Sequence, residues 1–244
     1  RRVKSPYRRQ AEILMPSAPP AAPVAVIGMH RSGTSCLAGC LEDLGLTLGE
    51  VNTAAPHNKK GNRENPRFWP VHDAVLARVG ASWDNPPAGP VAWTSDEIAA
   101  LKAVLADYDA LPRPWGFKDP RATVLLDGWF EVLPDLRLIA SIRHPLAVAG
   151  SLAARNGFDQ DHAFRLWSVY NRAVLRWRDL TGLAVIDYDA PDYEARVRTV
   201  AAALGLDATA PMPFRAEELN HQRIADPAPP SVADLWAALQ DAAR

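Results

Sequence analysis

Short apolar runs alternate along this chain with longer stretches in which apolar residues recur every three or four positions. The runs VAVIG (24–28), LRLIASI (136–142) and LAVIDYD (183–189) are rich in β-branched residues and apolar on successive positions. That pattern predicts strands buried on both faces. WGFKDPR (115–121) reads as a shorter strand and the loop after it. Helical spacing predicts a helix over 33–44 that ends at Gly45, and another over 65–79 with Pro66 in its first turn. Residues 95–111 read as a helix with Ser95 as N-cap and acids in the first turn. Pro145 opens a further helix, and residues 162–180 place Ala163, Leu166, Trp167, Tyr170, Val174 and Trp177 on one stripe, read as core packing. Helices over 192–204 and 231–243 follow, while 51–63 and 82–90 are polar or Pro-rich and irregular.

Strands that alternate with helices imply an α/β fold, a central parallel sheet covered on both faces in three α/β/α layers. The 244 residues suffice for one such domain, placed at 23–244. Residues 1–22 form an extension: a basic tip (Arg1, Arg2, Lys4, Arg8, Arg9) and then a Pro-rich lead-in, PSAPPAAP, over 16–23. The tip reads as a solvated tail, with contact to a membrane surface or a partner as the alternative.

Charge changes this picture only by exclusion. A net charge of −1 argues against a general nucleic-acid binder. No run reaches the roughly 18 apolar residues of a membrane span. No secretory signal is visible, and a cytoplasmic protein is expected. The two cysteines, Cys36 and Cys40, are too few for a structural zinc site and, four apart on one helix, badly set for a disulfide. They read as small core residues in a reducing compartment.

The candidate chemistry starts at VIGMHRSGTSCLAG (26–39). Gly28-x-x-x-x-Gly33-Thr34-Ser35 has the outline of a phosphate loop, with Thr34 where a nucleotide-triphosphate loop carries lysine and with Arg31 inside the loop. A strand–glycine loop–helix turn aims backbone N–H groups and the positive helix end at one anion. Without the lysine, a shorter anion chain is expected, held without a metal. SIRHPLAVAGS (141–151) supplies a second segment, in which Arg143 at a strand end and Ser151 two turns into a helix are set to grip a separate phosphate. An Arg–carboxylate pair with a helix-packing serine is the alternative.

GMHRSGTS followed at a distance by IRHPLAVAGS resembles the sulfotransferases that use 3′-phosphoadenosine 5′-phosphosulfate (PAPS). KKGNRENPRFWPVHDAVLARVGASWDNPP, GFKDPR and LWSVYNRAVL are similar to a bacterial branch of that family, so the resemblance spans about residues 24–205. It implies a P-loop nucleotide-hydrolase-like sulfotransferase fold. It also implies a cofactor, PAPS, whose product is adenosine 3′,5′-bisphosphate, and an acceptor hydroxyl or amine, a carbohydrate being one candidate. Arg31, Ser32, Gly33, Thr34, Ser35 and Cys36 would cradle the 5′-phosphosulfate. Arg143 and Ser151 would hold the 3′-phosphate, with Arg223 folding back on it. Arg31 would stabilise the leaving phosphate, and Lys118 would touch the sulfonate or 5′-phosphate, unless it only pairs with Asp119.

The histidine that serves as base in the cytosolic members of the family falls on Pro120 here. Glu64, in GNREN, is the expected general base, although Asn62 stands where the branch carries an aromatic residue. Pairing of Glu64 with Arg63 or Arg67 is the structural alternative, and Asp119 is the second candidate base. His57 and His144 qualify on chemistry alone. Trp69, Trp83 and Trp115 read as core residues or as stacking surfaces for an acceptor ring. Two other functions stay open. One is a metal-dependent kinase, whose magnesium aspartate would lie in VIDYD (185–189). The other is a non-catalytic nucleotide- or glycan-binding relative.

Overall fold

A computed structural model describes residues 22–54, 60–215, 224 and 226–244. Most of the N-terminal extension, His57 and Arg223 lie outside the described residues. The elements, in chain order, are β1 (Val24–Ile27), α1 (Thr34–Asp43), α2 (Phe68–Arg78), α3 (Ser95–Leu105), β2 (Gly116–Lys118), α4 (Leu126–Val132), β3 (Arg137–Ile142), α5 (Pro145–Asn156), α6 (Gln160–Thr181), β4 (Ala184–Asp187), α7 (Tyr193–Leu204) and α8 (Ala233–Ala242). Single 3-10 turns follow α3 (Ala106–Tyr108) and β2 (Pro120–Val124).

The four strands form one parallel sheet in the order β2-β1-β3-β4. Side chains alternate across it, as the period of two requires. Ala25, Ile27, Phe117, Leu138, Ala140 and Val185 face a core built from α2 to α6 and α8. Val24, Val26, Ile139 and Ile186 face a second core built from α1 and α7. Burial on both faces is why these strands read as unbroken apolar runs.

The helix boundaries needed three corrections. Thr94, not Ser95, caps α3, in a capping box with Glu97: Glu97 N–H donates to Thr94 Oγ1 at 3.3 Å, and Thr94 N–H donates to Glu97 Oε2 at 2.7 Å. The α-helix there stops at Leu105 and tightens into a 3-10 turn. In α2, Pro66 precedes the helix instead of lying in it, because Asn65 accepts the N–H groups of Arg67 and Phe68 and makes a turn first. The strand register brings Gly28, Lys118, Ile142 and Asp187 to the same carboxyl edge, which is where open parallel sheets bind ligands.

Candidate functional site

The loop after β1 is tied down on both sides. Gly28 N–H donates to Thr123 Oγ1 (2.9 Å) on the turn after β2, and Ser141 Oγ of β3 donates to Ser32 O (2.6 Å). Gly28 has φ 132°, and a Cβ there would stand 2.3 Å from Ser141 O, so no other residue fits. Arg31 also has a left-handed backbone, φ 68°. Gly33, at φ 84°, caps α1. Leu37 N–H is the first in α1 to find an intrahelical acceptor, Gly33 O at 3.0 Å. The N–H groups of Thr34, Ser35 and Cys36 therefore stand ahead of the helical ladder, at its positive end. The buried Ser32 Oγ has no hydrogen-bond partner among the described residues. A cradle of this form suits a phosphate-type anion.

One side of the loop gathers cations. Arg31 Nε donates to Ser151 Oγ at 2.7 Å across 120 residues of sequence. Burial, and then the fields of Arg155 and Arg143, lower the Arg31 pKa from its usual value. Arg143 Nε donates to Asp189 Oδ2 (3.0 Å), and its guanidinium lies 4.8 Å from the Tyr188 ring centre. Ser151 thus joins the first loop to the second segment, and the charge of Arg143 acts on the same Arg31. Arg215 stacks on Tyr188 (5.0 Å) and Tyr193 (4.3 Å) and reaches Cys36 Sγ at 3.8 Å.

The other side holds carboxylates. Lys118 Nζ donates to Glu64 Oε1 at 2.5 Å, and Trp69 Nε1 donates to Glu64 Oε2 at 2.8 Å. Arg121 stands 3.7 Å from the same carboxylate. Asn62 Oδ1 accepts the Glu64 N–H (3.1 Å) and shapes the turn that presents it. Glu64 and Lys118 are both buried. The local alternatives for these residues do not occur: Arg63 pairs with Glu42, Arg67 with Asp107, and Lys118 with Glu64 instead of Asp119.

Asp119 is engaged on both oxygens. Oδ2 meets His72 Nδ1 at 2.9 Å, and Oδ1 accepts Arg121 N–H at 2.9 Å. Burial would raise its pKa, but the His72 ring and Arg121 outweigh that and hold it well below the usual carboxylate range. His72 Nε2 accepts from Trp129 Nε1 at 3.0 Å. An indole can only donate, so the His72 proton sits on Nδ1 and points at Asp119.

No family model matches this chain, and no curated protein matches it. Among solved structures it is similar to a sulfotransferase from Alicyclobacillus acidocaldarius, at 18% identity over 90% of this chain and 91% of that one, with a TM-score of 0.47. It is also similar to the sulfotransferase domain from the Synechococcus PCC 7002 olefin synthase, at 18% identity over 91% of this chain and 90% of that one, with a TM-score of 0.46.

The remaining candidates divide by place. His144 caps α5 by accepting Leu146 N–H (3.3 Å) and packs its ring on Trp236. Trp115 is buried against Tyr108 in the core. Trp83 is partly buried, beside His30. Cys40 is buried, whereas Cys36 is half-buried with its thiol beside Arg215, which corrects the reading of both as buried core residues. Asp187 ends β4, an edge strand that β3 separates from the loop strand. Among the described residues, no helix is long and apolar enough to cross a membrane. Sequence reasoning missed His30, His72, Arg121 and Arg215. Three of them, His30, His72 and Arg121, lay inside quoted motifs.

Proposed function

We propose that this chain is a PAPS-dependent sulfotransferase that moves a sulfuryl group to a hydroxyl or amine acceptor. One observation carries the reading. Arg31 of the first loop and Ser151 of the second segment, the two pieces of the PAPS-type sequence pattern, are hydrogen-bonded at 2.7 Å beside Arg143. A loop with left-handed turns, N–H groups ahead of a helix and an unpartnered buried Ser32 Oγ fits a phosphosulfate end. PAPS, when bound, supplies the activated sulfuryl group.

The residues then divide the work. The loop N–H groups and Arg31 bind the 5′-phosphate and offset the charge that grows on it as the sulfuryl group leaves. Arg143 and Ser151 hold the 3′-phosphate. Lys118 orients Glu64 and meets the transferring group. Glu64, with Trp69 and Lys118 fixing its two oxygens, takes the proton from the acceptor. Positioning and electrostatics suffice for such an in-line displacement.

The test is calorimetric titration with adenosine 3′,5′-bisphosphate, AMP and Mg-ATP. Tight binding of the bisphosphate that does not depend on magnesium supports the proposal. Preference for Mg-ATP refutes it in favour of a kinase.

A further inference from the structure

The roles above leave His30 unused. It sits in the loop between Met29, which is in the core, and Arg31. Its ring centre is 4.8 Å from that of Trp83 and 5.8 Å from that of Tyr170, which meets it edge-on. The residue is 8% exposed, and its buried Nε2 has no hydrogen-bond partner among the described residues. Folded proteins leave few such atoms unpaired, and an unpaired one asks for a function.

The charged groups that act on this ring are Lys118, Asp119 and Arg121, from the segment after β2, and Arg155 of α5. Burial first, and then the net positive field, keep the imidazole uncharged. His30 is therefore a poor place to leave a proton and a good place for an uncharged hydrogen bond. Of the cations acting on it, Arg121 is tied to Asp73 and Asp119, and Lys118, paired with Glu64, already has its role above. His30 packs against Trp83 and Tyr170, whereas Arg31 next to it turns to Ser151.

We propose that His30 Nε2 is a binding contact for the sulfuryl group itself, donating a hydrogen bond to one of its oxygens. The proposal rests on the PAPS reading above. A sulfuryl group spreads one negative charge over three oxygens. An uncharged donor holds it without adding a further cation, which would grip the more highly charged phosphate of the product. His30 would in this way separate donor nucleotide from product.

The probes are PAPS and adenosine 3′,5′-bisphosphate, which differ only in the sulfuryl group. Both are measured by competition binding on the unaltered chain, on His30→Leu and on His30→Gln. His30→Leu is expected to weaken PAPS about tenfold relative to the bisphosphate. His30→Gln, with an amide donor, is expected to recover most of that loss. In the unaltered protein the 15N signals of the His30 ring are expected to move with PAPS and not with the bisphosphate, a readout that needs no variant to fold. Equal weakening of both nucleotides, or ring signals that do not distinguish them, overturns the assignment. If the unaltered chain binds neither nucleotide, the proposed function falls and this contact with it. If it binds both and only the ratio test fails, the function stands and His30 is refuted alone.

Discussion

The buried pair Lys118–Glu64 makes an asymmetric prediction. Lys118 is 1% exposed, and Glu64 Oε1 at 2.5 Å is the only hydrogen-bond acceptor of its ammonium among the described residues. Glu64→Ala therefore strands a cation in the interior, a change that costs about 3–5 kcal/mol. That is a large share of the roughly 5–15 kcal/mol that holds a domain together. Lys118→Met is milder. It leaves Glu64 with the Trp69 N–H at 2.8 Å and Arg121 at 3.7 Å, so a cost of about 1–3 kcal/mol is expected. The double variant buries no lone charge and should cost much less than the sum, with a coupling of about 2 kcal/mol. Urea unfolding followed by far-UV circular dichroism reads all three, and Glu64→Ala should lower the midpoint by about 1 M or more. A cost below about 1 kcal/mol for Glu64→Ala, or additive singles, would mean that Lys118 has another acceptor. The base role needs the gentler Glu64→Gln, which keeps a carbonyl oxygen for Lys118. Turnover with PAPS should fall about 10²–10⁴-fold while bisphosphate affinity holds, and retained turnover would end Glu64's candidacy.

Arg143→Ala should weaken adenosine 3′,5′-bisphosphate at least tenfold more than AMP, and equal losses in calorimetry would contradict its 3′-phosphate role. Burial pushes the Asp187 carboxyl up to about 6 from an ordinary 3.8. A raised acid favours the protonated fold, so its stability contribution is complete below pH 3.8 and is lost as pH rises through about 6. Asp187→Asn keeps an oxygen for the Asp189 N–H and should gain up to about 3 kcal/mol at pH 7 and flatten the pH 4–7 slope; identical slopes would refute this. The hydrogen bond to Cys40, helped by Arg215, outweighs burial and pulls the Cys36 thiol down to about 6. Iodoacetamide at pH 7 should alkylate Cys36 well before Cys40, with bound bisphosphate protecting it; mass spectrometry showing equal labelling would exclude an activated thiol.

The sheet was legible because its strands are buried on both faces, and a run such as VAVIG or LRLIASI has no other economical home. The glycine turn between β1 and α1 was legible because Gly28 and Gly33 are conformational necessities, clear from their spacing. Side-chain partners were not legible. The contact of Lys118 with Glu64 spans 54 residues and depends on how the turn at Asn62 is folded, which no periodicity encodes. The local alternatives, Asp119 for Lys118 and Arg63 for Glu64, are nearer in sequence, yet each finds a distant partner: Asp119 takes His72 and Arg63 takes Glu42. His30 escaped notice because its meaning is a missing partner, and an absence in space leaves no mark in the chain.

The hydrogen bonds behind Asp119 also bear on which carboxylate would serve as base in the proposed reaction. Trp129 can only donate, so His72 Nε2 must accept and Nδ1 must point its proton at Asp119 Oδ2. The other oxygen of Asp119 caps the turn after β2 by accepting Arg121 N–H, and it also meets the Arg121 side chain at 3.3 Å. Each of these bonds favours the ionised carboxylate, so a proton placed on Asp119 would break an arrangement buried at 1% exposure. What Asp119 does instead is fix Arg121, whose guanidinium also reaches Asp73 and stands 3.7 Å from Glu64. Asp119 thus acts through Arg121, while Glu64, whose oxygens are held by the Lys118 and Trp69 side chains and cap no turn, is the candidate base of the proposed reaction.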